Sequence, residues 1–106
     1  MRPGMYGYLR LTASSADDEH QTLQNDLAAH SEREGFTLER TFVEQVRSNE
    51  PAFDCLAEAL KANGVRNVIV PSLWHFARLP GLQAAMREHI EYELGARVWI
   101  VQGVQR

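Results

Sequence analysis

Cysteine is almost absent from this chain: Cys55 stands alone among 106 residues. A single thiol closes no internal disulfide, so a reducing compartment, the cytoplasm, is expected. Long apolar runs are absent too. No stretch approaches the ~20 apolar residues that span a bilayer, so no membrane partner is expected. The N-terminus, Met1-Arg2-Pro3-Gly4, leads into a strand rather than a signal-peptide apolar region. An excess of positive charge is also lacking. Lys and Arg number 11 against 14 Asp and Glu, a formal charge of -3. A protein that grips nucleic acid alone usually carries a basic balance or patch, so DNA is at most a weak partner for this chain by itself. His20, His30 and His89 lack metal-ligand spacing with one another or with Cys55, and they read as surface or half-buried residues. No metal and no cofactor is expected. There is no internal repeat, low-complexity segment or linker, and the length suits one domain, residues 1–106.

What is present is an alternation of strand and helix signals. Met5 to Leu11 reads as a first strand, with Arg10 near its end, where a buried arginine needs a partner. Ser14 or Ser15 suits a helix N-cap, followed by the acidic turn Asp17, Asp18 and Glu19. That helix runs to about Glu34, with Leu23 and Leu27 inward and Gly35 just past its end. Phe36 to Val46 alternates imperfectly and reads as an edge strand. Pro51 suits the first position of a second helix. Phe53, Leu56, Ala57 and Leu60 mark its buried face, Cys55 is expected in the core, and Asn63-Gly64 closes the helix. A third helix starts near Pro80 or Gly81. Leu82, Ala85, Met86, His89, Ile90 and Leu94 are expected on one broad inner face. Arg97 to Val101 is the last strand, with Trp99 as packing.

Asn67-Val-Ile-Val-Pro-Ser-Leu-Trp-His-Phe-Ala-Arg78 organises the rest. Val68-Ile69-Val70 reads as a short strand buried on both faces. Pro71 ends its ladder, having no N–H to donate. The loop beyond carries Ser72, Trp74, His75 and Arg78. The order β-α-β-α-β-α-β predicts an α/β three-layer sandwich on a four-stranded parallel sheet. A flavodoxin-like strand order, 2-1-3-4, places the reversal point between the first and third strands. Functional side chains gather at the carboxyl ends of strands there, which brings Arg10 and Thr12 beside Ser72, His75 and Arg78. Arg10, Thr12, Ser72 and Arg78 would form an anion site. The alternative is that Arg10 and Arg78 pair with Glu44 or Glu50. A Ser72–His75 hydrolase dyad lacks a G-x-S-x-G elbow. Trp74 would stack on a base, anchor an interface, or plug the site as a lid.

Three motifs together resemble the catalytic domain of serine recombinases, the resolvases and invertases. Tyr8-Leu9-Arg10-Leu11-Thr12 resembles the family's Tyr-x-Arg-Val-Ser at the end of the first strand. Leu73-Trp74-His75-Phe76-Ala77-Arg78 resembles its Leu-Asp-Arg-Leu-x-Arg. Glu50-Pro51 stands where the family has Arg-Pro at a helix start. The resemblance spans roughly Tyr6 to Val101 and implies a resolvase-like fold. It places Thr12 at the position of the serine nucleophile, with Arg10 and Arg78 as retained members of the arginine cluster. It also implies losses at Glu50, Trp74 and His75. Each lost transition-state donor costs roughly 3 kcal/mol, and such losses are not additive.

The expected function is therefore a stand-alone resolvase-like domain without a DNA-binding domain. It lacks site-specific recombinase activity and serves a binding or regulatory role through a protein partner or self-association. Whether it is an enzyme stays open, with the balance against. Two alternatives stand beside this: a DNA strand-transfer enzyme, or a fragment of one, using Thr12; and a phosphate- or nucleotide-binding module at an Arg10/Arg78 pocket. No Gly-rich phosphate loop follows the first strand, which counts against the last.

Overall fold

A computed structural model describes residues 2–11, 17–45 and 51–101. Along the chain run β1 (Gly4–Leu11), α1 (Asp17–Arg33), β2 (Thr37–Gln45), α2 (Ala52–Asn63), β3 (Asn67–Val70), a single 3-10 turn (Leu73–His75), α3 (Pro80–Glu88) and β4 (Arg97–Ile100). The strands form one parallel sheet in the order β2-β1-β3-β4. This is the expected doubly wound architecture, with β2 at an edge and β1 and β3 inside.

The period-two alternation of strand side chains divides the core into two layers. Met5 and Leu9 of β1 join Ile69 of β3 on one face, under Leu27 of α1. Tyr6 and Tyr8 join Val68 and Val70 on the other, against Leu56 and Leu60 of α2. Gly7 faces α1 and lets it approach: a Cβ there would sit 3.0 Å from Leu27 Cδ1 and 3.1 Å from Thr41 Oγ1. β2 runs beside β1 over its whole length, with a register irregularity between Met5 and Tyr6. Its one fully buried side chain is Phe42, as an edge position permits.

Three expectations from sequence change. Cys55 is exposed rather than in the core. Leu56 is fully buried, and at 100° per residue the position before it rotates away from the buried face. Pro51 takes the N-cap position and not the first helical position, with Gly64 in the left-handed conformation (φ 71°) at the other end. α3 is shorter and less embedded than its apolar pattern suggests. It widens into a π turn over His89–Glu93. Ile90 is buried and Met86 and Leu94 pack partly on the core, but Leu82 and Ala85 are exposed. The spacing of four from Met86 to Ile90 to Leu94 carries the docking, and the first turn projects beyond it. Among the described residues no helix is long and apolar enough to cross a membrane.

Candidate functional site

The carboxyl ends of β1 and β3 lie side by side in the sheet, so their downstream side chains meet. Arg10 is the next-to-last residue of β1. Its main-chain N–H donates to Nδ1 of His75 at 3.0 Å. That donor assigns Nδ1 as the unprotonated ring nitrogen. His75 is 7% exposed. Burial, and after it the Arg10 charge, hold its pKa down at about 4. Near neutrality His75 is thus an uncharged acceptor that fixes the end of β1, and its proton affinity is too low for a neutral-pH base. The link between His75 and Ser72 is main-chain: the His75 N–H donates to the Ser72 carbonyl at 3.0 Å. The Ser72 hydroxyl makes no capping bond to the turn.

Trp74 precedes His75 on the same turn and stays partly exposed. Its ring meets the imidazole edge-on, centroids 5.2 Å apart. The Arg10 Cζ lies 5.5 Å from the Trp74 centroid, within the range of a cation–π contact. Trp74 therefore covers Arg10. One guanidinium nitrogen, Nη1, is buried and has no hydrogen-bond partner among the described residues. A buried donor left unpaired costs on the order of 1–3 kcal/mol.

Arg10 also forms one wall of an open groove of about 520 Å³. Its apolar lining comes from Tyr8, Phe53, Phe76 and Met86, with Leu79 and Leu82 also contributing. Among the described residues Arg78 and Glu44 supply the other charges. The groove thus brings Arg10 and Arg78 together, whereas Ser72 and Trp74 are not part of its lining. Tyr8 is 2% exposed. Burial, reinforced by the Glu44 charge, pushes its hydroxyl pKa well up, so it remains protonated.

The alternative pairing of Arg10 with Glu44 is not formed. The two are register partners on adjacent strands, but Glu44 Oε1 accepts a 2.8 Å hydrogen bond from the Ala52 N–H. The first amides of a helix have no intrahelical acceptor and carry partial positive charge. Pro51 has no side-chain hydrogen-bonding group, so Glu44 caps α2 from the neighbouring strand. Sequence reasoning missed this role, because a cap eight residues upstream leaves no local motif. It also missed the apolar lining of the groove, to which Phe53, expected on the buried face of the second helix, and Phe76 contribute. Thr12 and Glu50, like Ser14 and Ser15, lie outside the described residues. Among the described residues no group of three His, Cys, Asp or Glu side chains is placed to hold a metal ion.

No protein-family model matches the chain, and no curated protein matches its sequence. Solved structures do. The C-terminal catalytic domain of ISC1926 TnpA, an IS607-like serine recombinase, superposes with a TM-score of 0.79 at 14% identity, covering 96% of this chain and 72% of that one. The N-terminal catalytic domain of TP901-1 integrase gives 0.76 at 16% identity, covering 93% and 77%. The chain has the fold of serine-recombinase catalytic domains.

Proposed function

We propose that this chain is a resolvase-like domain without strand-exchange activity, serving as a binding or regulatory module through protein contacts or self-association. The observation that carries the reading is the setting of Arg10. Its main chain is tied to an uncharged histidine, its guanidinium lies against Trp74, and among the described residues its groove sets two arginines against one glutamate. Phosphoryl transfer depends on several preorganised cations around the phosphoryl oxygens. A net balance of one positive charge among the described residues of an apolar groove is poorly suited to that. The sequence resemblance adds a hindered secondary alcohol, Thr12, and an anion, Glu50, at positions where the family uses serine and arginine.

The test is incubation with supercoiled DNA followed by denaturing electrophoresis. No covalent protein–DNA adduct and no change in DNA topology are expected. An adduct formed by the native chain and lost in Thr12→Ala refutes the reading and favours strand transfer. Light scattering across a concentration series examines self-association.

A further inference from the structure

The groove has features that inert packing does not need. Its apolar lining, Tyr8, Phe53, Phe76 and Met86, is continuous with the core, yet the groove is open to solvent and is lined by two arginines as well. Its volume of about 520 Å³ falls within the usual range for small-molecule sites, which are mostly apolar with a few placed polar groups. Leu82 is 51% exposed and Leu79 67% exposed, so the apolar character extends to the rim. Among the groove's charged lining residues, Arg10 keeps a buried nitrogen with no acceptor among the described residues. Arg78 is exposed and enters no ion pair among the described residues. Glu44 is engaged at the start of α2 and also lines the groove.

These features select a ligand by elimination. A neutral apolar molecule would leave the arginines uncompensated. A compact dianion such as phosphate would gain nothing from the aromatic lining and would face Glu44. Among the described residues two arginines and one glutamate line the groove, which a single negative charge matches, and an apolar body matches the apolar lining. We infer that the groove formed by Arg10, Arg78, Tyr8, Phe53, Phe76 and Met86 binds a small carboxylate with an aromatic or branched apolar body. The carboxylate lies at the arginine end and the apolar body against Phe53, Phe76 and Met86. Planar carboxylate and guanidinium groups suit each other through paired, charge-assisted hydrogen bonds. This inference does not depend on the loss of strand exchange.

The experiment is a two-dimensional amide NMR titration of the full chain with 3-phenylpropanoate, set beside 3-phenylpropan-1-ol and inorganic phosphate. The acid is expected to shift amides around Tyr8, Phe76, Arg78 and Met86, with saturation. The alcohol, lacking the charge, is expected to bind about tenfold more weakly or less, and phosphate at equal concentration is expected not to displace the acid. Arg78→Gln and Leu82→Glu change exposed side chains, so the fold should hold. Each is expected to weaken the acid about tenfold, the second through a like charge on the rim. Equal binding of acid and alcohol, displacement by phosphate, unchanged affinity in both variants, or no saturable shift would each overturn the assignment.

Discussion

Protonating His75 should loosen the whole domain. The ring is 7% exposed, and Nδ1 accepts the Arg10 N–H at 3.0 Å. A proton on Nδ1 would set two donors head to head and place a cation beside the Arg10 charge. The folded state therefore binds this proton only near pH 4, whereas an unfolded histidine takes it up near 6.5. Between those values the unfolded chain holds more protons, so stability falls as pH falls. The contribution is intact above about pH 6.5 and is lost by about pH 4, a change on the order of 3 kcal/mol. Carboxylates titrate in part of the same window, so the comparison must be with a variant that keeps the acceptor. Asn in His75→Asn offers Oδ1 close to the place of Nδ1 and does not titrate. Urea unfolding at a series of pH values should find the native chain losing about 3 kcal/mol more than the variant between pH 7 and 4. The direct check is the chemical shift of the His75 ring, which should titrate near 4. A titration near 6.5, or a stability difference that does not vary with pH, refutes the reasoning.

Substitutions at two further positions test the frame that holds the site. Glu44→Ala should remove the cap of α2 and cost about 1 kcal/mol in urea unfolding, with Glu44→Gln, which keeps an acceptor oxygen, retaining most of that stability; equal losses in the two would mean that charge and not the hydrogen bond to Ala52 matters. Gly7→Ala should destabilise by about 1–3 kcal/mol, because its Cβ meets Leu27 and Thr41 at about 3 Å and the layer above β1 has to move; an unchanged melting temperature would show that α1 yields freely.

The strand order was legible in the sequence because its cues are strong and local. Val68-Ile69-Val70 reads as a strand from composition alone, and Pro71 and Gly64 punctuate it and the helix before it. Parallel connection then follows from the alternation of elements. α3 was misread for a physical reason. Leu82, Ala85, Met86, His89 and Ile90 form a good amphipathic stripe, but periodicity says which residues share a face and not whether anything covers it. The π turn at His89–Glu93 shifts the stripe further and leaves no simple compositional mark. The site was legible to the extent that topology decides it: Arg10 and Arg78 share a groove because β1 and β3 are neighbours. What the side chains do there was not legible. Glu44 looked like a counter-ion for Arg10, and only the position of the Ala52 amide reveals it as a cap. His75 looked like a candidate acid or base, and only its burial and its bond to the Arg10 N–H make it a neutral acceptor.

Those two residues also explain how such an edge can vary in chemistry without loss of the fold. The two core layers are anchored by Leu27 below the sheet and by Leu56, Leu60 and Ile90 above it, all fully buried. Trp74 and Arg78 are exposed. Surface substitutions of this kind usually change stability by no more than about 0.5 kcal/mol, so residues there can change with little cost to the fold. His75 and Glu44 are different, because each satisfies a main-chain N–H, of Arg10 and of Ala52. Replacing either with an apolar residue would strand a backbone donor at about 1–3 kcal/mol if it stays buried. Change at this edge is therefore constrained by main-chain hydrogen bonds at two positions and open at its exposed ones. A scan of Ser72, Trp74, His75, Arg78 and Glu44 to alanine should divide along that line in melting temperature, with His75 and Glu44 low and the other three near the native value. An even spread across all five would mean that the main-chain bonds do not set the division.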